Sequence, residues 1–149
     1  MSSRLTYRAY ERRRLGHPDT RGSGLAYMLR RSLAASTFAG FWRAWNPLFS
    51  YYLTRWCYRP LARRVPRPVA VVSTFAASGA IHDLAASIAL LRVYLLFTPA
   101  FAALGAWVIL EEAFDWNVAW APGWLRGLIH TGLVAGTIAA AKLLRSMWF

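Results

Sequence analysis

Three apolar runs in the second half of the chain determine the architecture that its sequence predicts. They cover residues 69–91, about 98–112 and about 125–144. A helix of about 20 apolar residues is long enough to cross a bilayer. The first and third runs reach that length, whereas the second is short unless the aromatic residues before it contribute. The pattern predicts an all-α integral membrane protein with about three transmembrane helices.

Residues 25–68 are helical in pattern but too polar to cross a bilayer. Arginines recur there among leucine, phenylalanine, tryptophan and tyrosine, and Pro47 breaks the run next to Asn46. The pattern predicts one or two amphipathic helices at the membrane interface, with arginines toward phosphates and aromatics toward acyl chains. Residues 1–24 form a basic arm before them. The expected organisation is therefore an arm (1–24), interfacial helices (25–68) and a transmembrane region (69–149).

Positive charge is concentrated in the first half of the chain. Residues 1–68 hold 14 of the 18 basic residues and two of the six acidic ones. An excess of arginine beside apolar spans is typical of the cytoplasmic or matrix side of a membrane. We therefore expect a bacterial inner or intracytoplasmic membrane, or an organellar inner membrane, with the N-terminus on that side. The arginines expected to contact anionic lipid headgroups or partner subunits are Arg12, Arg13, Arg14, Arg30, Arg31, Arg43, Arg63 and Arg64.

Two functional classes do not fit the sequence. The basic residues lead straight into apolar runs and no helix-turn-helix, zinc or RNA-binding pattern accompanies them, so nucleic acid is not an expected partner. Cys57 is the single cysteine of the sequence, which excludes an internal disulfide and a cysteine-based zinc site. No metal site and no resident cofactor is expected.

Candidate chemistry begins with His82 and Asp83, the ionisable residues of the run 69–91. Such groups are costly inside a membrane and need an explanation. A neutral histidine in a dry cavity can remove a proton from an alcohol, and Ser78 shares its helix face four residues earlier. Asp83 points in a different direction from His82, so the two are not expected to form a dyad. The residues alone leave two roles open: His82 is a catalytic histidine, or His82 and Asp83 make polar contacts between helices.

A second polar block precedes the spans. It reads Phe41-Trp42-Arg43-Ala44-Trp45-Asn46. The Asn46 amide could orient an acyl carbonyl or donate a hydrogen bond to a developing oxyanion. Trp42 and Trp45 are its expected supporting residues.

The blocks 41–46, 55–61 and 75–83 together resemble the signature region of the membrane-bound O-acyltransferases. The nearest likeness is to the diacylglycerol/sterol acyltransferase and wax synthase branch, which carries FW-x-x-WN, R-x-x-Y-x-P-like and S-[AG]-x-x-H-E blocks. Order and spacing agree over about residues 38–110. The resemblance implies that His82 is the catalytic histidine, that Asn46 is its polar partner, and that acyl-CoA or another acyl thioester is the donor. Asp83 stands where that branch usually has glutamate.

Two functional hypotheses follow, because enzymes of that family are several times longer and enclose a chamber with many spans. In the first, the chain is a strongly truncated or remnant member that serves as a structural or accessory subunit of a large membrane complex, of photosynthetic or respiratory type, with pigment or lipid contacts. In the second, it is a minimal or split O-acyltransferase that moves a fatty acyl group from a thioester to a hydroxyl. The missing chamber favours the first hypothesis, and with it a role other than catalysis.

The remaining polar and small residues of the second half carry weaker predictions. Gly132 and Gly136 have a spacing that fits close helix contact, and His130 is expected to hydrogen-bond a neighbouring helix. The acidic residues Glu111, Glu112 and Asp115 have two possible interpretations: a solvated turn, or a docking patch for a basic segment.

Overall fold

The computed structural model describes residues 6–15 and 24–148, and within them the chain forms helices and no strand. The predicted all-α class is confirmed. The helices are α1 Tyr7–Leu15, α2 Gly24–Leu33, α3 Phe38–Ala44, α4 Pro47–Leu53, a π-helix Thr54–Tyr58, α5 Arg59–Leu61, α6 Arg67–Leu90, α7 Phe97–Ala113 and α8 Gly123–Trp148. Of the predicted arm, residues 1–5 and 16–23 lie outside the described part, and α1 occupies most of the rest.

The chain divides into two compact units. Unit 1 comprises Met1–Tyr52 and Trp116–His130, and unit 2 comprises Leu53–Asp115 and Thr131–Phe149. Unit 1 therefore contains the short helices α1 to α3 and most of α4, together with the beginning of α8. Unit 2 contains α6, α7 and the rest of α8.

Two helices of the described part, α6 and α8, are long and apolar enough to cross a membrane. They correspond to the predicted spans 69–91 and 125–144. The predicted span 98–112 forms α7, which has 17 residues. Residues 91–96 before it are not helical, so the aromatic stretch does not lengthen it. The second apolar run thus forms a short helix of 17 residues.

Helices α6 and α7 pack against each other as an antiparallel hairpin in unit 2. The register is visible at two glycines that allow close approach. A Cβ atom on Gly79 would overlap the backbone carbonyl of Phe97, and one on Gly105 would lie 3.1 Å from the Cα atom of Val72. Residues near the end of α6 therefore meet the start of α7, and the reverse holds at the other end.

The open end of the hairpin is joined by an ion pair between Arg67 and Glu112. The guanidinium contacts both carboxylate oxygens, at 2.6 Å and 2.9 Å. Such two-point pairing fixes the relative orientation of two side chains. Glu112, one of the three acidic residues of the predicted turn or docking patch, therefore binds a basic residue of its own unit.

The turn of the hairpin begins at Leu91, which has a φ of 50°. The N–H of Arg92 bonds to the carbonyl oxygen of Ser87 at 3.2 Å, which closes the end of α6. The Ser87 hydroxyl then accepts a hydrogen bond of 2.8 Å from the Tyr94 N–H. In the same unit, the Arg145 guanidinium of α8 lies 4.5 Å from the Tyr94 ring centroid. The turn is therefore held by local hydrogen bonds and by one contact from α8.

Unit 1 joins two parts of the chain that are far apart in sequence. The carbonyl oxygens of the loop 34–36, directly after α2, each accept a hydrogen bond from the segment 118–130. The donors are the Val118 N–H to Ser36 at 2.8 Å, the Arg126 guanidinium to Ala34 at 3.2 Å, and the His130 Nε2 to Ala35 at 3.0 Å. His130 thus makes a hydrogen bond to a distant segment as expected, although its acceptor lies in a loop and not in a helix.

The predicted close helix contact at Gly132 and Gly136 is not formed within the described part of the chain. Among the described residues, no atom lies within 4 Å of a Cβ built on Gly132 or Gly136. Close approach occurs at Gly79 and Gly105 of the α6–α7 hairpin and at Gly127 of α8, where a Cβ would lie 3.3 Å from the Cβ of Leu33. Spacing alone does not say which face of a helix meets a neighbour.

Candidate functional site

His82 lies on α6 with its side chain exposed. Its Nδ1 is 2.7 Å from the carbonyl oxygen of Ser78, one turn earlier. A carbonyl oxygen only accepts, so Nδ1 carries a hydrogen, and in a neutral imidazole the lone pair is then on Nε2. The ring lies beside two aromatic residues of α7, with centroid distances of 5.8 Å to Phe97 and 5.1 Å to Phe101. The imidazole is therefore oriented, in the tautomer that can accept a proton at Nε2.

Asp83, the next residue, is buried and serves a different purpose. Its carboxylate accepts four hydrogen bonds of 2.6–2.8 Å from the first turn of α7; the donors are the N–H groups of Leu96, Phe97 and Thr98 and the Thr98 hydroxyl. The N–H groups at the start of a helix have no partner within that helix, and a negative charge there is stabilising. Asp83 thus caps α7 from α6, and α7 begins at Phe97 because its first N–H groups are satisfied there.

This cap bears on His82 indirectly. By holding the first turn of α7, Asp83 positions the aromatic rings that flank the imidazole. As the sequence predicted, Asp83 does not form a dyad with His82. Ser78 is buried, and it contacts His82 through its backbone carbonyl.

Asn46 lies between α3 and α4 with a φ of 41°, and its side chain is exposed. Its Oδ1 accepts a hydrogen bond of 3.2 Å from the Phe49 N–H, in the first turn of α4. Asparagine is a preferred residue at this capping position, and Pro47 suits the first turn that follows. The amide oxygen is therefore used by the fold, and the amide nitrogen is the group that could donate to an acyl oxygen. Asn46 belongs to unit 1, whereas His82 belongs to unit 2.

Trp42 and Trp45 support the Asn46 block by packing. Trp45 stacks on Phe41 at 5.5 Å between centroids, and Trp42 meets the same ring edge-on at 5.5 Å. Phe38 and Phe41 are buried, and both lie within 6 Å of the His130 ring. The two tryptophans thus belong to the aromatic core of unit 1.

The middle block of the family resemblance forms the π-helix Thr54–Tyr58. The N–H of Arg59 bonds to the carbonyl oxygen of Thr54, five residues earlier. Pro60 follows and has no N–H to continue the regular pattern. Single π-turns inside α-helical segments occur frequently at functional sites. Trp56, within this turn, is 70% exposed.

The basic residues expected to meet lipid or partners separate into two groups. Arg13, Arg30, Arg31 and Arg43 line one cavity in unit 1. Arg12, Arg63 and Arg64 lie outside its described lining, and all seven of these side chains are exposed. The backbone of Arg14 lies in α1, and its side chain is outside the described part of the structure.

Arg126 is the residue that the sequence analysis missed. Its guanidinium donates to the carbonyl oxygens of Ala34, Ala119 and Ala121, at 3.2, 2.5 and 2.7 Å. A single arginine near the start of an apolar run is the signal that could have indicated it, because such a charge needs polar partners. Within the described residues, no group of three or more histidine, cysteine or acidic side chains could hold a metal ion.

Comparison with known proteins identifies one family. The model of MBOAT, the membrane-bound O-acyltransferase family, matches residues 22–119, a stretch that contains Asn46, His82 and Asp83. No match was found among the curated proteins or among the solved structures. The match is to the family as a whole, so the diacylglycerol/sterol acyltransferase and wax synthase branch stays a prediction.

Proposed function

The chain belongs to the membrane-bound O-acyltransferase family, and from that premise we propose that it is an accessory transmembrane subunit built on an acyltransferase-like core. The observation that carries the proposal is the exposure of His82. A histidine base and an oxyanion donor are most effective where water is excluded. A partner subunit, a lipid or a pigment is therefore expected against this face of α6.

The signature residues have structural reasons to be present without catalysis. The Asp83 carboxylate is used by the first turn of α7, and the Asn46 amide oxygen is used by the first turn of α4. Loss of either would leave backbone N–H groups without partners. These two residues would therefore be needed in a subunit that performs no acyl transfer.

The membrane-spanning helices leave surface for such partners. Only 22% of the apolar window of α6 and 11% of that of α8 are buried. The proposed setting is a photosynthetic or respiratory assembly of an energy-converting membrane, with the N-terminal side in the cytoplasm or matrix. Its support is the excess of arginine over acid in residues 1–68, which suits partner subunits and anionic lipid on that side.

A second candidate function, a split O-acyltransferase, is favoured by the tautomer of His82. The His82 Nε2 would take the proton of an acceptor hydroxyl while the hydroxyl oxygen attacks the carbonyl carbon of an acyl thioester. The new C–O bond forms as the C–S bond breaks, and the proton passes to the leaving thiolate. The partner would then supply the walls of the chamber, and acyl-CoA or another thioester would be the donor.

One experiment separates the two functions. The tagged chain is purified gently from its native membrane, sized, and its companions are identified. A stoichiometric complex whose composition and acyl-transfer activity are unchanged by His82→Ala would support the accessory role. Acyl transfer that falls by about a hundredfold or more in His82→Ala would overturn it and support the second function. Leu84→Ala, also on an exposed position of α6, is the matched control.

A further inference from the structure

A cavity of about 710 Å³ lies within unit 1 and is lined by four arginines from three helices. Arg13 comes from α1, Arg30 and Arg31 from α2, and Arg43 from α3. None of the described residues that line it is acidic. Like charges held together in one concave site repel, and an anion between them would lower the free energy. The described lining of the cavity therefore favours a negatively charged ligand.

The other polar side chains of the cavity suit a phosphate. Tyr27, Ser36 and Thr37 carry hydroxyl groups along its wall. Guanidinium groups bind phosphate oxygens through two parallel hydrogen bonds, and hydroxyl groups add further donors. The volume lies within the usual range of small-molecule sites, so a phosphate with an attached headgroup would fit.

One wall of the cavity is held in place from outside. The loop 34–36 lines it, and the carbonyl oxygens of that loop accept hydrogen bonds from Val118, Arg126 and His130. None of these three donors is among the described lining residues. Carbonyl oxygens would repel a phosphate, and here each of the three accepts a hydrogen bond from the segment 118–130. These hydrogen bonds fix the loop in the wall of the cavity.

The same unit carries exposed apolar side chains typical of the headgroup level of a bilayer. Leu25 of α2 is 64% exposed, and Trp120 and Trp124 are 76% and 68% exposed. Tryptophan is enriched at membrane–water interfaces. The hydrogen bond from Val118 ties this tryptophan-rich segment to the wall of the cavity. A phosphate that reaches the site from a membrane would therefore meet both a charged pocket and an apolar surface.

We propose that this four-arginine cavity binds a phosphate group, supplied by the headgroup of an anionic phospholipid. The site is distinct from the His82 region, which lies in unit 2, and the proposal does not depend on the accessory role. A soluble phosphate-bearing ligand has the same chemistry, and the experiment below separates the two sources.

The full chain in maltoside micelles is titrated with phosphatidylglycerol, with phosphatidylcholine or with pyrophosphate alone, and binding is followed by tryptophan fluorescence and by native mass spectrometry. We expect phosphatidylglycerol to bind clearly tighter than phosphatidylcholine. The double variant Arg30→Gln/Arg43→Gln should weaken that binding by about thirtyfold, since each arginine near a lipid surface contributes about one order of magnitude or slightly less.

The matched control is Arg92→Gln/Lys142→Gln, which removes the same charge from exposed residues that lie outside the cavity lining and outside the set of arginines expected to contact lipid. It should bind phosphatidylglycerol as the unaltered chain does. Arg30→Lys/Arg43→Lys keeps the charge but loses the paired donors, and should retain part of the affinity. Far-UV circular dichroism shows whether each variant keeps its helices.

Equal weakening in both glutamine pairs, or equal binding of the two lipids without any binding of pyrophosphate, would overturn the proposal. Pyrophosphate binding that disappears in Arg30→Gln/Arg43→Gln, with no preference between lipids, would support the phosphate site but assign it to a soluble ligand. These outcomes are independent of the composition of any complex, so they do not overlap with the test of the accessory role.

Discussion

The backbone groups at the start of α7 and in the loop after α2 are satisfied by opposite kinds of partner, an acceptor in the first case and donors in the second. At the start of α7, one carboxylate from α6 accepts hydrogen bonds from three backbone N–H groups and a hydroxyl. After α2, three carbonyl oxygens accept from an arginine, a histidine and a backbone N–H of the segment 118–130. The beginning of a helix presents donors and its end presents acceptors, so each place requires the opposite partner.

This difference shows why an ionisable residue in an apolar run is not by itself a sign of chemistry. Asp83, Arg126 and His130 all lie in or beside such runs, and each is explained by the backbone groups that it satisfies. His82 is not explained in that way, because its hydrogen bond is to its own helix and its side chain is exposed. It is therefore the residue of this set that a functional test should address.

The largest expected effect comes from removing the carboxylate cap. Asp83→Ala would leave three backbone N–H groups of α7 without their acceptor in a buried place. We expect the free energy of unfolding to fall by about 3 kcal/mol or more, measured by denaturation in mixed micelles. Asp83→Asn keeps one acceptor oxygen and should cost less.

His82→Ala is the matched control for this cap, since it changes the neighbouring but exposed residue. It should alter the stability by much less than Asp83→Ala. Equal destabilisation by the two substitutions would contradict the assignment of Asp83 as the cap of α7.

A smaller effect should follow from filling the space that brings α6 and α7 together. Gly79→Ala would place a methyl group against the backbone of Phe97, which is less able to yield than a flexible side chain. We expect a loss of about 2 kcal/mol in the same unfolding measurement. Gly132→Ala, where the space is open, should instead be neutral or stabilise α8 by about 0.5–1 kcal/mol. Equal changes in the free energy of unfolding for Gly79→Ala and Gly132→Ala would contradict the close approach of α6 and α7 at Gly79.

The smallest of the three effects is expected at the loop after α2. Arg126→Ala removes the donor to three carbonyl oxygens, but its site is only partly buried and water can replace some of the bonds. A loss of about 1–2 kcal/mol is expected. Lys142→Ala, an exposed cation on the same helix, should change the stability little. A neutral Arg126→Ala would mean that water satisfies the carbonyl oxygens of Ala34, Ala119 and Ala121 equally well.

Much of the fold could be predicted from the apolar pattern. The runs 69–91 and 125–144 became α6 and α8 with boundaries close to those expected, because long apolar helices are set by length and composition. The short second run was also recognised. The start of α7 was expected within one residue of Phe97. Its cap could not be predicted, since Asp83 is 13 residues from Leu96 and meets it only when the hairpin folds.

The candidate residues were identified from local blocks, and their partners were not. The sequence indicated His82, Asn46 and the arginine-rich helices, and it foresaw that Asp83 would not pair with His82. It could not indicate the acceptor of Arg126, because the carbonyl oxygen of Ala34 is 92 residues away. Nor could it indicate which arginines share a cavity, because Arg13, Arg30 and Arg43 come together only through the packing of three short helices.

The division of unit 1 into two segments has a consequence for the order in which the protein is made. Residues 53–115, which include the whole α6–α7 hairpin, separate the loop 34–36 from the donors at Val118, Arg126 and His130. A ribosome must therefore deliver the complete hairpin before unit 1 can close. Until then the carbonyl oxygens of the loop can be satisfied only by water or by another protein. Completion of the cavity wall thus follows synthesis of the hairpin, and it requires closing a chain loop of more than 80 residues.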